Sequence, residues 1–319
     1  MKTVLMVIFA LTLGLIIAIE LLLRSVFGFG NSLIYIGDEE IGYLLAPNQR
    51  TRKMGNRIEI NEYSMRSTEI SKTRSASTFR ILLVGDSIAN GGWWTDQENT
   101  ISSLIEKSLK PQNNYQQIEV LNASANSWGP RNELAYLQKF GSFQSQIIIL
   151  LINTDDLFAT APTSLPVGRD RNYPDHQIPL AILEVAERYL KKQKSIPELE
   201  AIQKEGGDRV GINLKAIGEI KNFVQENNSQ FLLVMTPLLR EIGQPGPRDY
   251  EIVARQRLKD FTQAQQIQYI DVLPEFNSIN NPQSLYQDNI HLNLQGNQFV
   301  SKIIKESLTE IADNIYEQK

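Results

Sequence analysis

The chain has 319 residues and a mass of 36.2 kDa, which allows one large α/β domain with an appendage. A net charge of −4 and a pI near 5.5 provide no basic surface for nucleic acid, so no nucleic-acid partner is expected. The chain contains no cysteine, which excludes disulfides, thiol catalysis and zinc–thiolate sites.

The first predicted element is a membrane-spanning helix. Residues 4–23 are apolar apart from Thr12 and Glu20, and a run of about 20 apolar residues spans the hydrocarbon core of a bilayer. A cleaved signal peptide has a shorter apolar run, followed by a small-residue cleavage site that we do not find here. We therefore expect an uncleaved single-pass anchor over residues 1–24. Lys2 before the run weakly favours an extracytoplasmic location for the rest of the chain.

Two further regions follow the anchor. Residues 25–78 are predicted to be a connector with minor β structure, because residues 57–67 alternate weakly and glycines and prolines interrupt the segment. Residues 79–319 alternate short apolar runs with helical patterns, which is typical of a parallel sheet covered on both faces. The expected strands are 80–85, 117–122, 146–152, 231–236 and 268–272, and the expected helices are 99–110, 131–139, 180–193, 212–227, 248–265 and 294–312.

About eighty residues separate the third and fourth strands, and they contain a long insertion at about 157–210. Its first part, residues 159–179, is rich in proline and aspartate. Long loops inside a compact domain are usually lids or binding loops. This one begins where a strand ends, on the side where open α/β sheets bind their ligands.

Polar residues follow four of the five predicted strands, and the carboxyl ends of parallel strands meet at one edge of a sheet. Ser87 follows the first strand, and Asp288 and His291 precede the last helix. A serine hydroxyl needs a base, and the base needs an acceptor that fixes its tautomer. The three residues therefore form a candidate Ser–His–Asp triad. The alternative is a serine that caps the next helix and a histidine at the surface.

Gly85-Asp86-Ser87 after an apolar strand, together with Asp288-x-x-His291-Leu-Asn-x-x-Gly, resembles the SGNH (GDSL) hydrolase family. The chain looks like a membrane-anchored, bacterial-type member whose second and third sequence blocks diverge. The resemblance implies a flavodoxin-like three-layer α/β/α sandwich with a mainly parallel five-stranded sheet. It also implies serine esterase or acyl-transfer chemistry with no metal and no cofactor. Ser87 would be the nucleophile, His291 the general base and Asp288 its orienting partner.

The resemblance also implies an oxyanion hole, in which the N–H groups of Ser87 and Ser127 would act as donors. Ser127 stands where the family has a glycine, so the N–H survives but the backbone conformation is less easily adopted. In the third block Asp155 stands where the family has an asparagine, and an ionised carboxylate has no proton to donate. Either Asn153 serves instead, or Asp155 is protonated, or hydrolysis has been lost. We expect Asn153 to be the side-chain donor of the oxyanion hole.

The three tryptophans, Trp93, Trp94 and Trp128, follow two of the polar strand ends. They are candidates for substrate binding by stacking on sugar faces, although tryptophans in such loops also pack loops onto a domain. Together these observations lead us to expect an ester hydrolase that removes a small acyl group, an O-acetyl ester, from a cell-envelope glycan. The alternatives are an O-acyltransferase on the same fold and an inactive glycan-binding or assembly protein.

Overall fold

The computed structural model describes residues 1–112 and 115–317. It begins with an exposed apolar helix. Helix α1 (Lys2–Leu22) buries none of its residues and continues as a wider π-helical turn to Phe27. Within the described residues it is the one helix that is long and apolar enough to cross a membrane, and a signal sequence would have the same character.

Two antiparallel hairpins follow the apolar helix. Strand β1 (Tyr35–Asp38) pairs with β2 (Gly42–Leu45), and β3 (Gln49–Lys53) pairs with β4 (Asn56–Ile60). Their apolar side chains belong to the same hydrophobic core as one face of the central sheet; they include Ile41, Tyr43, Leu45, Ile58 and Ile60. Residues 35–60 therefore pack against the domain along its surface as well as joining it to the helix.

The central sheet has five parallel strands. They are β5 (Thr78–Gly85), β6 (Gln117–Ser124), β7 (Ile147–Asn153), β8 (Gln230–Thr236) and β9 (Gln268–Asp271). Their spatial order is β6-β5-β7-β8-β9, which is the flavodoxin-like order 2-1-3-4-5 when β5 is counted as the first strand. Strands β5 and β7 are buried along their whole length, as expected for a parallel sheet covered on both faces.

Helices cover both faces of this sheet. The helices after the hairpins are, in chain order, α2 (Ser87–Asn90), α3 (Ile101–Ser108), α4 (Pro130–Phe140), α5 (Ala181–Tyr189), α6 (Pro197–Gln203), α7 (Arg209–Glu226), α8 (Asp249–Ala264), α9 (Leu273–Asn277) and α10 (Leu294–Glu317). Leu82 and Val84 of β5 share a core with α4, α7, α8 and the hairpins. Ile81 and Leu83 point the other way and share a core with α3 and α10. The predicted three-layer α/β/α sandwich is confirmed.

The insertion lies between a short 3₁₀ turn (Thr154–Phe158) and α7, and it contains α5 and α6. It contacts the N-terminal hairpins directly. The Tyr35 N–H of β1 donates to the Pro174 carbonyl at 2.8 Å, and the N–H of Gly30, in the turn before the hairpins, donates to the Glu184 carboxylate at 2.5 Å. The hairpins and the insertion therefore form one continuous cover over the sheet.

The strand order fixes where a ligand crevice opens. After β5 the chain crosses to β6 on one side, and later it adds β7 on the other side. The loops after β5 and β7 therefore diverge, and open α/β sheets bind ligands at such a switch point. Ser87 follows β5, and Asn153 is the last residue of β7.

Candidate active site

Ser87 is the first residue of a short helix that begins directly after β5. The turn is tight, because a Cβ on Gly85 would lie 2.5 Å from the Leu151 carbonyl oxygen, so only glycine fits there. Asp86 is the N-cap residue, and its carboxylate accepts the Ile88 N–H at 2.8 Å. The helix is thus capped by Asp86, which leaves the Ser87 hydroxyl available for another contact.

That contact is with His291. The Ser87 Oγ lies 3.0 Å from His291 Nε2, and His291 Nδ1 lies 2.7 Å from an oxygen of Asp288. The other Asp288 oxygen accepts the N–H groups of Ile290 and His291, both at 2.8 Å. Partial burial raises the pKa of Asp288, but these hydrogen bonds outweigh burial and hold it below its ordinary value. The carboxylate is therefore ionised at neutral pH and fixes the orientation of the imidazole ring.

Two backbone N–H groups are free at the same cavity. Ser87 and Ser127 both line it, and within the described part of the chain neither N–H has an acceptor. Ser127 has φ of 61°, in the left-handed region that favours glycine. Its Oγ accepts a hydrogen bond from the Tyr173 hydroxyl at 3.0 Å. A serine thus occupies a glycine-like conformation, and a contact from the insertion accompanies it.

Asn153 and Asp155 have different surroundings. The buried Asn153 amide donates to the Asp86 carboxylate at 2.7 Å, and that same oxygen lies 3.4 Å from Ser87 Oγ. An amide nitrogen carries two hydrogens, so one donor remains. The side chain of Asp155 is 55% exposed and lies 3.7 Å from Arg240. Of the two residues only Asn153 belongs to the hydrogen-bond network around Ser87.

Three buried carboxyl groups lie in or near this hydrogen-bond network. Burial raises the pKa of Asp86, and it raises the pKa values of Asp156 and Glu133 much further, with the charge of Asp86 adding to the effect on both. Glu133 is fully buried, and neither of its carboxyl oxygens has a hydrogen-bond partner. Burial without a hydrogen-bond partner therefore favours the neutral form of Glu133. Within the described chain no group of three or more histidine or carboxylate side chains is arranged to hold a metal ion.

The cavity next to Ser87 has a volume of about 320 Å³. One wall is the sheet edge, and the other walls come from the hairpins, the insertion and the loop after α2. The residues that line it include Tyr35, Lys53, Ser87, Trp93, Trp94, Ser127, Tyr173, Arg188, Tyr189 and His291. Sequence reasoning pointed to the insertion as a binding loop, but it did not identify Tyr35, Lys53, Tyr173 or Arg188 as cavity residues.

The tryptophans divide into two groups. The Trp94 ring lies beside the His291 ring, with 4.2 Å between centroids, and Trp93 is 44% exposed next to it. Trp128 is only 1% exposed, donates its indole N–H to the Tyr43 carbonyl at 3.0 Å and packs against Tyr136. The expectation that Trp128 binds substrate is therefore wrong, because the ring is part of the core.

Arg66 is a site residue that the sequence did not reveal. It is fully buried, and its guanidinium donates to the carbonyls of Asn90 and Gly92, both at 2.5 Å, and to the carbonyl of Thr95. These carbonyls flank the loop that carries Trp93 and Trp94. Arg66 therefore holds this loop in place by hydrogen bonds. No local sequence pattern predicts that role for a single arginine, so it is seen only in the fold.

Comparison with known proteins gives the class of the molecule. The model of the GDSL-like lipase/acylhydrolase family matches residues 83–299. That range is more than half of the chain and includes Ser87, Asp288 and His291. The chain therefore belongs to the GDSL-like lipase/acylhydrolase family, and its class is that of an acyl-ester hydrolase.

Solved structures with a similar arrangement share little sequence with the chain. An acetyl xylan esterase is 16% identical, with a TM-score of 0.49 over 72% of this chain and 99% of that one. The acetylxylan esterase Axe2 from Geobacillus stearothermophilus is 14% identical, with a TM-score of 0.46 over 73% and 94%. A putative acylhydrolase from Bacteroides fragilis is 14% identical, with a TM-score of 0.45 over 76% and 92%. No curated protein matches the chain by sequence.

Proposed function

We propose that the protein is a serine ester hydrolase in which Ser87 is the nucleophile. The observation that carries this proposal is the continuous hydrogen-bonded line from Ser87 Oγ through His291 to Asp288, with separations of 3.0 and 2.7 Å. A serine next to an oriented imidazole can lose its proton as it attacks a carbonyl carbon. Membership of an acylhydrolase family supports the same chemistry.

The reaction has two stages. Ser87 Oγ bonds to the ester carbonyl carbon while its proton passes to His291 Nε2, and His291 then protonates the alcohol oxygen as the C–O bond breaks. Water, deprotonated by His291, then attacks the acyl-serine carbonyl carbon. The bond between the acyl carbon and Ser87 Oγ breaks, the acid leaves, and His291 returns the proton to Ser87 Oγ. The N–H groups of Ser87 and Ser127 and the amide of Asn153 stabilise the negative oxygen in both stages. Asp288 keeps the imidazole in the correct tautomer and stays ionised.

The substrate is an ester of a small acyl group, and we assign an O-acetyl group on a cell-envelope glycan. The Trp94 ring beside His291 narrows the space for an acyl chain, which supports a short one. Trp93, exposed at the cavity rim, offers a flat apolar face for a sugar ring. We further propose that α1 stays in the membrane as an anchor and holds the domain outside the cytoplasm.

Labelling with a fluorophosphonate probe tests the nucleophile, since the probe reacts only with an activated serine. The wild-type chain is expected to be labelled, and Ser87→Ala is expected to lose both the label and the hydrolysis of p-nitrophenyl acetate. Ser75→Ala, in the exposed segment before β5, is the matched control and should behave as wild type. A folded wild-type chain without label or turnover would refute the hydrolase and favour a glycan-binding protein.

A further inference from the structure

Helix α5 has exposed leucines within it and at both of its ends. Leu180 is the N-cap residue, Leu183 lies in the first turn and Leu190 is the C-cap residue, and they are 49%, 49% and 83% exposed. Glu187, four residues after Leu183, is exposed on the same side as Leu183. Glu184, the residue after Leu183, is buried and accepts hydrogen bonds from Lys53 and the Gly30 N–H. A surface helix ordinarily turns its leucines inward and its charges outward. Within the described residues, the exposed leucines of α5 therefore have no apolar partner that covers them.

This helix begins beside the end of the apolar helix α1. The Glu20 carboxylate accepts the N–H groups of Ala181 and Ile182 at 2.8 and 3.0 Å, so it caps the first turn of α5. Only α1 residues before Glu20 are free to lie in hydrocarbon. At about 1.5 Å per residue they span about 27 Å, close to the thickness of a bilayer core. The contact at Glu20 therefore places the start of α5 at the level where α1 leaves the membrane.

Basic residues follow α5 directly. Lys191, Lys192 and Lys194 are exposed, and the nearest carboxylate to any of them is that of Glu187, 3.8 Å from Lys191. A helix with exposed leucines and adjacent lysines has the composition of segments that bind at the surface of anionic bilayers. The exposed leucines, the lysines after α5 and the contact between α5 and Glu20 all favour a position of α5 at the membrane surface.

We propose that α5 lies on the membrane as an interfacial helix, with Leu180, Leu183 and Leu190 in the boundary between headgroups and acyl chains. The lysines after it contact anionic headgroups. This inference rests on the proposed anchoring by α1. Arg188 and Tyr189 of the same helix line the cavity of Ser87, so this cavity borders the helix that lies on the membrane.

The absence of native cysteine allows a direct test by site-directed spin labelling. Leu183→Cys and Leu190→Cys are labelled in the otherwise unchanged full chain, reconstituted in phosphatidylcholine vesicles containing a minority of phosphatidylglycerol. Lys302→Cys is the matched control, because it is exposed on α10, which covers the other face of the sheet from the hairpins. Collision rates with oxygen, which concentrates in lipid, and with a water-soluble nickel chelate report where each label lies.

The expected result is a higher ratio of oxygen to nickel collisions at positions 183 and 190 than at 302. Equal ratios at all three positions in a chain that floats with the vesicles would refute the placement of α5 and leave the anchor intact. Protection of positions 183 and 190 from both reagents would mean that protein covers the face, which also refutes the proposal. A chain that does not float with the vesicles refutes the anchor and this inference together, while esterase turnover in solution tests the hydrolase independently.

Discussion

The sheet edge and the cover above it are built in different ways. At the sheet edge, Ser87 and Asn153 are fixed by strands whose register is set by the backbone ladder. In the cover, the hairpins and the insertion share no strand ladder within the described residues and meet largely through packed side chains, as in the cluster of Tyr35, Tyr43 and Tyr173, where each of the first two rings lies 5.0 Å from the third. The strand topology therefore places Ser87 and Asn153, whereas packing between distant segments shapes the cavity in front of them. Mutations at the sheet edge and mutations in the cover are therefore expected to have separate effects.

The largest expected effect is at the sheet edge. Asn153→Ala should lower kcat by about 10²–10³, the usual cost of losing one oxyanion donor, with KM much less affected. Asp155→Asn should leave kcat nearly unchanged, because its side chain faces Arg240 instead of Ser87. Steady-state kinetics on a short p-nitrophenyl ester measures both. Unchanged kcat in Asn153→Ala would reject the assigned donor.

The next effect lies in the contact between the cover and the loop after α2. Arg66→Met should lower the free energy of unfolding by about 2–3 kcal/mol, because it leaves three buried carbonyls without donors. Arg50→Met is the control, since Arg50 is exposed and its pairs with Glu59 and Glu69 lie at the surface, where such pairs contribute about 1 kcal/mol or less. Denaturant unfolding compares the two variants, and equal losses would contradict the role of Arg66.

A smaller, pH-dependent effect lies beneath the sheet edge. Burial raises the pKa of Glu133 well above its ordinary 4.5, so above that pH the folded chain holds a proton that the unfolded chain has released. The contribution of Glu133 to stability is therefore complete below pH 4.5 and is lost as the pH rises, by up to about 1.4 kcal/mol per unit. Glu133→Gln should remove this slope.

Denaturant unfolding at several pH values between 5 and about 8 measures the difference. The advantage of Glu133→Gln over wild type should grow as the pH rises above 4.5, until the raised pKa of Glu133 is reached. Glu310→Gln, on an exposed part of α10, is expected to show no such trend. A constant difference between Glu133→Gln and wild type would mean that Glu133 is already charged in the folded chain.

The smallest effect is at Ser127, where the sheet edge touches the cover. Ser127→Gly relieves a left-handed conformation, which favours folding by about 0.5–1 kcal/mol, but it loses the hydrogen bond from Tyr173. The net change in stability should lie within about 1 kcal/mol, and turnover should be retained because the N–H remains. Tyr173→Phe measures the hydrogen bond alone. A large loss of turnover in Ser127→Gly would show that the hydroxyl, and not the N–H, matters.

The sequence allowed a prediction of the sheet because buried parallel strands read as continuous apolar runs, as in 146–152, which became β7 (Ile147–Asn153). It also allowed a prediction that Ser87, His291 and Asp288 meet, because strand ends converge at one edge. It did not reveal the hydrogen bonds from Arg66 to the loop after α2, or the burial of Trp128. Both depend on contacts between segments far apart in the chain, which local periodicity does not encode.

The turn that holds His291 has one more consequence. Asp288 is only three residues from His291, and the Gln287 N–H donates to the His291 carbonyl at 2.8 Å, so the base and its acceptor form a self-contained unit. Ser87 stands 204 positions away, and a single 3.0 Å contact brings it to that unit. Slight loosening between these two segments would lengthen that contact without changing any helix or strand. The hydrolysis proposed for Ser87 should therefore be lost before the circular dichroism signal changes.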